Sequence, residues 1–487
     1  MKRLKDILYK VTVESVYGST DILVNNLTFD SRTVAKNDVF VAIKGGMVDG
    51  HKFMPSVIKK GVTAIVCEEI PSNIEKDITY IVVSDSKEAL AILSDNFYNN
   101  PSQQLKLIGV TGTNGKTTIA SLLYQLFKKL GYKVGLLSTV KVIIDDKEYP
   151  ATHTTPDSIR INAYLEQMVD EGVSYCFMEV SSHGIHQKRT KGLRFVGGVF
   201  TNLTHDHLDY HNSFIEYRDI KKSFFDELPK TAFALVNIDD KNGKVMLQNT
   251  EAKKFTYALK TVADYKAKIL ENQITGLLLT INDNEIWTKL IGTFNAYNLL
   301  AIYAVADLLG VERLENLRLL SELESVSGRF QYTISDKGII AIVDYAHTPD
   351  ALKNVLETIN SIRTHNEKVI TVIGCGGDRD KSKRPKMGNI ATQLSNQVIF
   401  TSDNPRSEDP DKIIEEMEAG VEPQNIKKIL SITDRKQAIK TASSFADKGD
   451  ILLIAGKGHE TYQEIKGIRS EFDDYKIITE TLKELQK

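Results

Sequence analysis

Apolar and polar residues follow one another along much of this chain in the periods of buried strands and amphipathic helices. Residues Leu105–Val110 form an apolar run that predicts a buried strand. From Ile119 to Leu130, apolar side chains recur at intervals of three and four, which predicts a helix with one buried face. Gly131 ends this helix, and Lys133–Leu137 is predicted to be the next strand.

Three regions differ in this pattern, and we predict that each is an α/β domain. Residues 1–100 carry short strands and few long helical patterns, and Asn99–Ser102 has the polar, proline-containing composition of a linker. Residues 101–328 are predicted to form a central P-loop domain with a parallel sheet, and residues 329–487 a C-terminal doubly wound, Rossmann-like domain. The other predicted elements are the strands Val39–Ile43, Ala64–Cys67, Tyr175–Val180, Val196–Leu203, Ala232–Ile238, Ile339–Val343, Lys368–Ile373, Gln397–Thr401 and Ile451–Ile454, and the helices Ala351–Ile362 and Asp411–Ala419.

Composition narrows the class of protein. With 487 residues, 41% hydrophobic and 26% charged, the chain is typical of a soluble globular protein. A formal net charge of -2 argues against nucleic acid or acidic lipid as the main partner. The three cysteines are far apart and lie in apolar runs, and no stretch is long enough for a signal peptide or a membrane span. We therefore expect a cytoplasmic protein without membrane insertion, and a monomer.

The segment TGTNGKTT, residues 111–118, joins the first predicted strand to the first predicted helix. In such a loop the backbone amides and the helix N-terminus face a phosphate, Lys116 neutralises its charge, and Thr117 can hold Mg²⁺. Val110 occupies the place of the first glycine of a Walker A motif, and Gly109 comes one residue too early. The loop is therefore a relative of the P-loop, and it predicts an ATP or GTP site.

Two further segments carry metal-binding side-chain types after predicted strands. Glu179 ends an apolar run and could hold Mg²⁺ directly or through water, although it could also be a glutamate at the edge of a strand. The segment TNLTHDHLDYH, residues 201–211, has three histidines and two aspartates, which makes a zinc enzyme a competing hypothesis. Neither an HExxH pattern nor a cysteine pair accompanies it. Tyr217 and Lys221 follow one helical turn apart, and Lys221 alone is most simply a surface lysine.

Four polar clusters end predicted strands in the third region. Because ligands bind at the carboxyl ends of the strands in such sheets, these clusters predict a second ligand surface, rich in Arg and Lys and suited to carboxylates or phosphates. Solvated loops would explain one such cluster easily but four poorly. The clusters are Asp344–Pro349, Gly374–Arg384, Asp403–Arg406 and Gly456–Glu460.

The motifs together, in this order, resemble the Mur ligase family, and within it the members that add the third residue of the peptidoglycan stem peptide. The resemblance covers nearly the whole chain. Asp30-Ser31-Arg32 and its surroundings are similar to the UDP-sugar-binding domain of these enzymes. The motifs are TGTNGKTT, MEVSSHG, TNLTHDHLDYH, GTFNAYN, SGRF, DYAHTPD, GGDRDKSKRP, DNPR and AGKGHE.

The resemblance implies an ATP-dependent amide ligase. ATP would phosphorylate the free carboxylate of UDP-MurNAc-L-Ala-D-Glu, and an amine would then attack the acyl phosphate. Lys116, Glu179, His207 and Lys221 would be the catalytic residues, with Mg²⁺ held by Thr117, Glu179, His207 and a carbamylated Lys221. The implied ATP-binding residues are Gly112, Thr113, Asn114, Gly115, Lys116, Thr117, Thr118, Asn295, Asn298, Arg329, Asp344 and His347.

The resemblance also implies two substrate sites. Within the family, DNPR resembles the version that takes meso-diaminopimelate; Arg406 can bind the distal carboxylate and Glu460 the distal ammonium. Lanthionine would satisfy the same pair of side chains. Two alternative enzyme activities remain, which are ligation of L-lysine and a folylpolyglutamate synthetase-like reaction. Two other classes of protein are also alternatives: a P-loop motor or switch, and a UDP-sugar-binding module with a degenerate ATPase. The UDP-MurNAc-dipeptide residues are Ser31, Thr154, Thr155, Ser181, Gln187 and Arg189, and the amino-acid residues are Arg379, Asp403, Asn404, Pro405, Arg406, Gly456 and Glu460.

Overall fold

The computed structural model describes residues 1–45, 48–151, 153–204, 210–211 and 213–487. In the N-terminal region the strands form a sheet of order β2-β7-β6-β5-β4, parallel except where β2 joins β7, and β1 pairs with β3. The elements are β1 (Lys2–Arg3), α1 (Leu4–Ile7), β2 (Val13–Tyr17), β3 (Leu23–Val24), β4 (Leu27–Thr28), β5 (Val39–Val41), α2 (Met54–Lys59), β6 (Ala64–Cys67), β7 (Thr79–Val83) and α3 (Ser86–Phe97).

The central region is built on one long sheet. Its order is β11-β10-β9-β12-β8-β13-β14-β15-β16-β17-β18, parallel from β9 to β16 and antiparallel at both ends. The elements are β8 (Lys106–Thr111), α4 (Lys116–Lys129), β9 (Val134–Leu137), β10 (Lys141–Ile144), β11 (Lys147–Pro150), α5 (Ser158–Asp170), β12 (Tyr175–Glu179), α6 (Ser182–His186), β13 (Phe195–Phe200), α7 (Phe214–Asp226), β14 (Phe233–Asn237), α8 (Gly243–Met246), β15 (Lys253–Ala258), β16 (Tyr265–Gln273), β17 (Gly276–Ile281), β18 (Asn284–Thr288), α9 (Thr293–Leu308) and α10 (Arg313–Ser321).

The C-terminal region has its own sheet, of order β19-β20-β24-β21-β22-β23, in which only β19 runs antiparallel to its neighbour. A hairpin, β25 with β26, lies outside it. The elements are β19 (Gln331–Ile334), β20 (Ile340–Asp344), α11 (Pro349–Ile362), β21 (Val369–Ile373), α12 (Lys383–Leu394), β22 (Gln397–Phe400), α13 (Pro410–Glu418), β23 (Ile429–Ser431), α14 (Arg435–Phe445), β24 (Ile451–Ala455), β25 (Tyr462–Ile465), β26 (Ile468–Glu471) and α15 (Asp474–Glu484).

Helices cover both faces of the central sheet. One apolar core contains Leu122 of α4 and Leu299 of α9, and a second core on the other face contains Leu165 of α5 and Phe225 of α7. The strands between them are therefore apolar almost throughout, as parallel strands buried on two faces must be. This α/β/α layering confirms the predicted fold class, and no helix among the described residues is long and apolar enough to cross a membrane.

The predicted strands are present, with ends that differ by a few residues. The largest difference is Val196–Leu203, because β13 ends at Phe200 and the next residues leave the sheet to contact the P-loop. Several elements were not predicted, including the following two. One is helix α3, whose first turn is capped by the side chain of Asp85. The other is the antiparallel extension β16–β18, where the alternation of apolar and polar residues is interrupted at Leu270 of β16.

A buried ion pair joins the last two long helices. Arg435 begins α14 and Asp474 begins α15, and both side chains are fully buried with an Nη2–Oδ2 distance of 2.7 Å. Arg435 Nη2 also donates to the carbonyl of Ala455, the last residue of β24, at 3.0 Å. The pair therefore anchors two helices at the carboxyl end of a central strand, next to the Gly456–Glu460 loop.

Candidate active site

The P-loop is held in one tight conformation by two glycines. Gly112 has a φ of +148° and Gly115 a φ of +88°, in the region that favours glycine. A Cβ on Gly112 would lie 1.9 Å from Thr201 Oγ1, and one on Gly115 would lie 2.7 Å from Asn298 Oδ1. Helix α4 begins directly after Gly115, so its N-terminus faces the loop as the sequence predicts.

Residues after β13 hold the P-loop from the neighbouring strand. Asn114 N donates to Asn202 Oδ1 at 2.9 Å, and Thr201 Oγ1 donates to the carbonyl of Asn114 at 2.6 Å. Thr113 Oγ1 lies 3.1 Å from Tyr217 OH of α7. Thr201 and Asn202 were not among the predicted site residues, since their sequence showed only a polar segment after a strand. They stabilise the shape of the loop.

Two lysines converge on one carbonyl oxygen of this loop. Lys116 Nζ donates to Gly112 O at 3.0 Å and to Thr113 O at 2.8 Å. Lys221 Nζ, from α7, donates to the same Gly112 O at 2.9 Å. Lys221 is only 1% exposed, so the interpretation of this residue as a surface lysine is wrong. Two ammonium groups on one oxygen concentrate positive charge where a phosphate would bind.

Glu179 lies beside the P-loop at the end of β12. Its side chain is fully buried, and it accepts hydrogen bonds from Thr117 Oγ1 at 2.9 Å and from Thr139 N at 2.7 Å. It is therefore more than a glutamate at a strand edge. A hydroxyl and a carboxylate at this spacing are the hard oxygen ligands that suit Mg²⁺.

The predicted histidine ligand cannot be placed with them. His207 lies outside the described residues, as do His205, Asp206 and Asp209. His211 is described, and its Nε2 lies 3.0 Å from Ser182 Oγ. In the part of the chain that the structure describes, no group of three His, Cys, Asp or Glu side chains could hold a metal.

The C-terminal region reaches the P-loop through Arg329. Its Nη2 donates to Thr117 Oγ1 at 3.2 Å, and its guanidinium carbon lies 4.6 Å from the centre of the Tyr345 ring. The ring of Tyr345 in turn lies 4.5 Å from that of His347. Asp344 Oδ2 accepts from Phe330 N at 2.7 Å, and burial raises the pKa of Asp344 to about 6.

Two asparagines of α9 complete the predicted nucleotide residues. Asn298 Nδ2 donates to Asn295 Oδ1 at 3.0 Å, which orients Asn298 Oδ1 toward Gly115. Thr118 is buried in the first turn of α4. The structure thus brings Asn295, Asn298 and Arg329 to the loop that contains Lys116, although these residues come from segments far apart in the sequence.

Four of the predicted UDP-substrate residues form one cluster next to Glu179. Thr155 Oγ1 donates to the carbonyl of Glu179 at 2.8 Å and accepts from Ser181 N at 2.9 Å. Arg189 Nη1 donates to Thr155 O at 2.6 Å, and its Nη2 donates to Gln187 Oε1 at 2.7 Å. This network places a cation, an amide and hydroxyl groups beside the carboxylate at the P-loop.

The other two predicted UDP-substrate residues have different surroundings. Thr154 Oγ1 accepts from Thr139 Oγ1 at 3.1 Å, which connects it to the Glu179 network. Ser31 belongs to the N-terminal sheet region, where its carbonyl accepts from Lys60 Nζ at 2.6 Å. Lys188 joins the two regions, since its Nζ lies 2.9 Å from Asp85 Oδ2 and 2.5 Å from Glu88 Oε2 at the start of α3.

The predicted amino-acid residues other than Arg379 lie at the carboxyl ends of β22 and β24. Asn404 Nδ2 donates to Glu460 Oε2 at 2.7 Å, and a Cβ on Gly456 would lie 2.6 Å from Asp403 Oδ2. Lys457 is fully buried between these side chains. It was not among the predicted site residues, because a lysine between two glycines gives no sign of burial.

The two predicted arginines of this site differ in exposure. Arg406 is half-buried, and its Nη1 donates to Gly377 O at 2.6 Å. Arg379 is exposed, on the loop after β21, while Pro405 is buried against Gly377. Burial and the negative charge of Asp403 raise the pKa of Glu460. The carboxylates therefore form the inner part of this pocket, and the arginines its outer part.

Comparison with known proteins matches these features to one family. The Mur ligase family catalytic domain matches residues 23–98, the Mur ligase middle domain residues 110–306, and the Mur ligase glutamate ligase domain residues 328–458. A UDP-N-acetylmuramoyl-L-alanyl-D-glutamate--2,6-diaminopimelate ligase of Cytophaga hutchinsonii is 56% identical over 487 residues, all of both chains. The chain belongs to the Mur ligase family. This membership excludes the P-loop motor or switch protein.

Other Mur ligases and a related structure support the assignment. A relative with the same printed name from Parabacteroides distasonis is 54% identical over 98% of both chains. A solved structure of an enzyme with that name is 30% identical, with a TM-score of 0.70, over 100% of this Mur ligase and 99% of that chain. A folylpolyglutamate synthase of Mycobacterium tuberculosis, 18% identical with a TM-score of 0.60, shares the fold over 74% of this chain and 91% of its own.

The two ends of α4 offer a matched test of the P-loop geometry. Gly115→Ala and Gly131→Ala place a Cβ at nearly the same φ, +88° and +85°, so both incur left-handed strain of about 1–2 kcal/mol. Only the first meets Asn298; Gly131 has open space within 4 Å. We expect similar losses of thermal stability, but loss of ATP binding in calorimetry only for Gly115→Ala. Equal affinities in the two variants would contradict this account of the loop.

Proposed function

We propose that this Mur ligase uses ATP to join meso-diaminopimelate, or a similar diamino diacid, to UDP-MurNAc-L-Ala-D-Glu in peptidoglycan synthesis. The observation that carries the proposal is the convergence of Lys116, Lys221, Arg329 and the Thr117–Glu179 pair on one loop. The hydroxyl, amide and arginine cluster at Thr155 adjoins it. The names of the relatives over 50% identical describe the same reaction.

The proposed chemistry is phosphoryl transfer followed by amide formation. A carboxylate oxygen of the D-Glu residue bonds to the γ-phosphorus while the bond to the ADP oxygen breaks. The amine of the incoming amino acid then bonds to the acyl carbon, loses a proton, and phosphate leaves with the carboxylate oxygen. Lys116, Arg329 and the loop amides would offset the negative charge on the transferring group, which is where fixed positive charge lowers the barrier.

Thr117 and Glu179 are the described residues that would hold Mg²⁺, with His207 proposed as a further ligand. Bound Mg²⁺ would polarise phosphoryl oxygens as a Lewis acid. Lys221 lies on the same carbonyl oxygen as Lys116, but an ammonium cannot ligate a metal ion. Carbamylation would turn Lys221 into an anion and supply another oxygen ligand. We therefore propose N6-carboxylysine at this position.

The amino-acid pocket accounts for the choice of substrate. Arg406 would bind the distal carboxylate of a diamino diacid, and Glu460 its distal ammonium. L-lysine has no distal carboxylate and would leave Arg406 without that partner in a half-buried position, which disfavours it. Lanthionine carries both groups and remains an alternative substrate. A folylpolyglutamate synthetase-like reaction is less well supported, because residues 23–98 match a Mur ligase domain of their own.

The remaining parts of the proposal concern organisation. We propose that residues 1–100 bind the UDP sugar, with Ser31 among the contacts, that residues 101–328 bind ATP, and that residues 329–487 bind the amino acid. Three buried free cysteines fit a reducing compartment, which supports action in the cytoplasm. We further propose that the protein is a monomer. A degenerate ATPase is not supported, since Lys116, Glu179 and Lys221 all adjoin the P-loop.

A panel of amino acids tests the proposed reaction. We expect phosphate release from ATP only when UDP-MurNAc-L-Ala-D-Glu and a diamino diacid are both present. With saturating ATP, meso-diaminopimelate, lanthionine, L-lysine and L-ornithine are compared by kcat/KM, and the diacids are expected to exceed L-lysine because Arg406 binds a carboxylate. Turnover with L-lysine but not with meso-diaminopimelate would contradict the role of Arg406.

Neighbouring lysines on α7 test the carbamate. Lys221→Ala should abolish ligation, and high bicarbonate should not restore it, because the variant has no amine to carbamylate. Lys222→Ala is the control, since Lys222 instead pairs with Asp226 at 2.6 Å, and it should keep its activity. With ¹³C-bicarbonate, a carbamate signal in the carbon NMR spectrum is expected for wild type and Lys222→Ala alone. Wild-type rates in Lys221→Ala would remove the carbamate from the mechanism.

A further inference from the structure

A lysine lies inside the acidic pocket of the C-terminal region, between residues proposed to receive the amino acid. Lys457 is 0% exposed. Its Nζ lies 3.0 Å from Asn404 Oδ1, 3.3 Å from Glu460 Oε2 and 3.8 Å from Asp403 Oδ1. An ammonium out of contact with water is costly unless its partners compensate it, so three oxygen partners at this range indicate a built site.

Lys457 and the backbone amide of Glu464 together determine how Asn404 is oriented. An ammonium can only donate hydrogen bonds, so the amide must present its oxygen to Lys457. The same Oδ1 also accepts from Glu464 N at 2.9 Å, which leaves Nδ2 to donate to Glu460 Oε2 at 2.7 Å. Oε2 of Glu460 thus accepts hydrogen bonds from two donors, Asn404 and Lys457.

The charges in this pocket do not cancel. Asp403 and Glu460 contribute two negative charges when ionised, and Lys457 contributes one positive charge. Arg435 also interacts electrostatically with both carboxylates, but it is already paired with Asp474. One net negative charge therefore remains in the inner part of the pocket, inside Arg406 and Arg379, and an ammonium group is the ligand chemistry that would complete it.

Removal of Lys457 would bring two like charges together without a counterion. Burial and Asp403 already raise the pKa of Glu460, and the positive charge of Lys457 opposes that rise. The other titratable groups that interact with Glu460 are Tyr345, Tyr462 and Arg435. Without the lysine, the pKa of Glu460 would rise further, so that this carboxyl group would bind a proton more readily.

We propose that Lys457 is a positioning residue for the amino-acid site: it offsets the repulsion between Asp403 and Glu460 and helps to orient Asn404, so that Glu460 stays ionised toward the distal ammonium of the diamino acid. This inference rests on the proposed function, and goes beyond it by assigning a role in substrate binding to a fully buried lysine.

The test measures KM for the diamino acid in Lys457→Met and in wild type from pH 6 to pH 9. At each pH the KM of the variant is divided by the KM of wild type, so that titration of the substrate cancels in this ratio. The ratio should be highest at the acid end of the range, at about tenfold or more, since a protonated Glu460 forms no ion pair with the distal ammonium. It should fall with rising pH, by up to about tenfold per unit, because Glu460 must ionise to bind an ammonium and its pKa in the variant lies above the wild-type value. KM for ATP should stay unchanged.

Further variants separate this effect from loss of packing. Lys476→Met on α15 removes an exposed lysine and should give a ratio of one at every pH. Adding Glu460→Gln to Lys457→Met should abolish the pH dependence of the ratio while KM stays high. Lys457→Gln, which keeps a donor for Asn404 and loses only the charge, should show the same slope and gives the test if Lys457→Met does not fold.

Two results would overturn the inference. A ratio that is raised equally from pH 6 to pH 9, with a matching change in KM for ATP, would mean that Lys457 only supports the fold. A ratio of one throughout would mean that the pocket does not depend on its charge. Wild-type protein that is inactive with every diamino acid would instead contradict the proposed function itself, and this inference with it.

Discussion

The carbonyl oxygen of Gly112 is the point on which the rest of this structure depends. It accepts hydrogen bonds from Lys116, at the start of α4, and from Lys221, on α7. A carbonyl oxygen carries only a partial negative charge, so the two ammonium groups bring positive charge to the loop. Arg329 adds a third cation nearby, through its contact with Thr117. Positive charge gathered in this way is suited to the phosphates of a nucleotide.

Sheet topology explains why the other site residues meet this loop. Strands β12 and β13 lie on either side of β8, and all three are parallel, so their carboxyl ends share one edge. Glu179 leaves β12 and Thr201 follows β13, and both therefore contact the loop that follows β8. In the C-terminal sheet, the neighbouring strands β20, β24, β21 and β22 are also parallel to one another. Their carboxyl ends therefore share one edge, and the polar clusters that follow these strands lie along it.

The sequence predicts this arrangement only in part. Strand β8 and helix α4 were predicted because the apolar period is regular and the glycines and Lys116 mark the junction. Glu179 was predicted from its place at a strand end. The burial of Lys457 and the pair Arg435–Asp474 could not be predicted, because a buried charge is stable only with partners that the fold supplies. Helix α3 was missed, since the polar runs Ser86–Glu88 and Ser94–Asn96 leave only a short apolar stretch between them.

The central claim is that the charged loop serves transfer of a phosphoryl group to a carboxylate. Oxygen-18 in the D-Glu carboxylate of UDP-MurNAc-L-Ala-D-Glu tests it directly. During ligation in ordinary water, the phosphate that is released should carry one labelled oxygen, measured by mass spectrometry, because that oxygen leaves with phosphorus when the amide forms. Unlabelled phosphate would show that ATP is hydrolysed by water without an acyl phosphate, and would contradict the account.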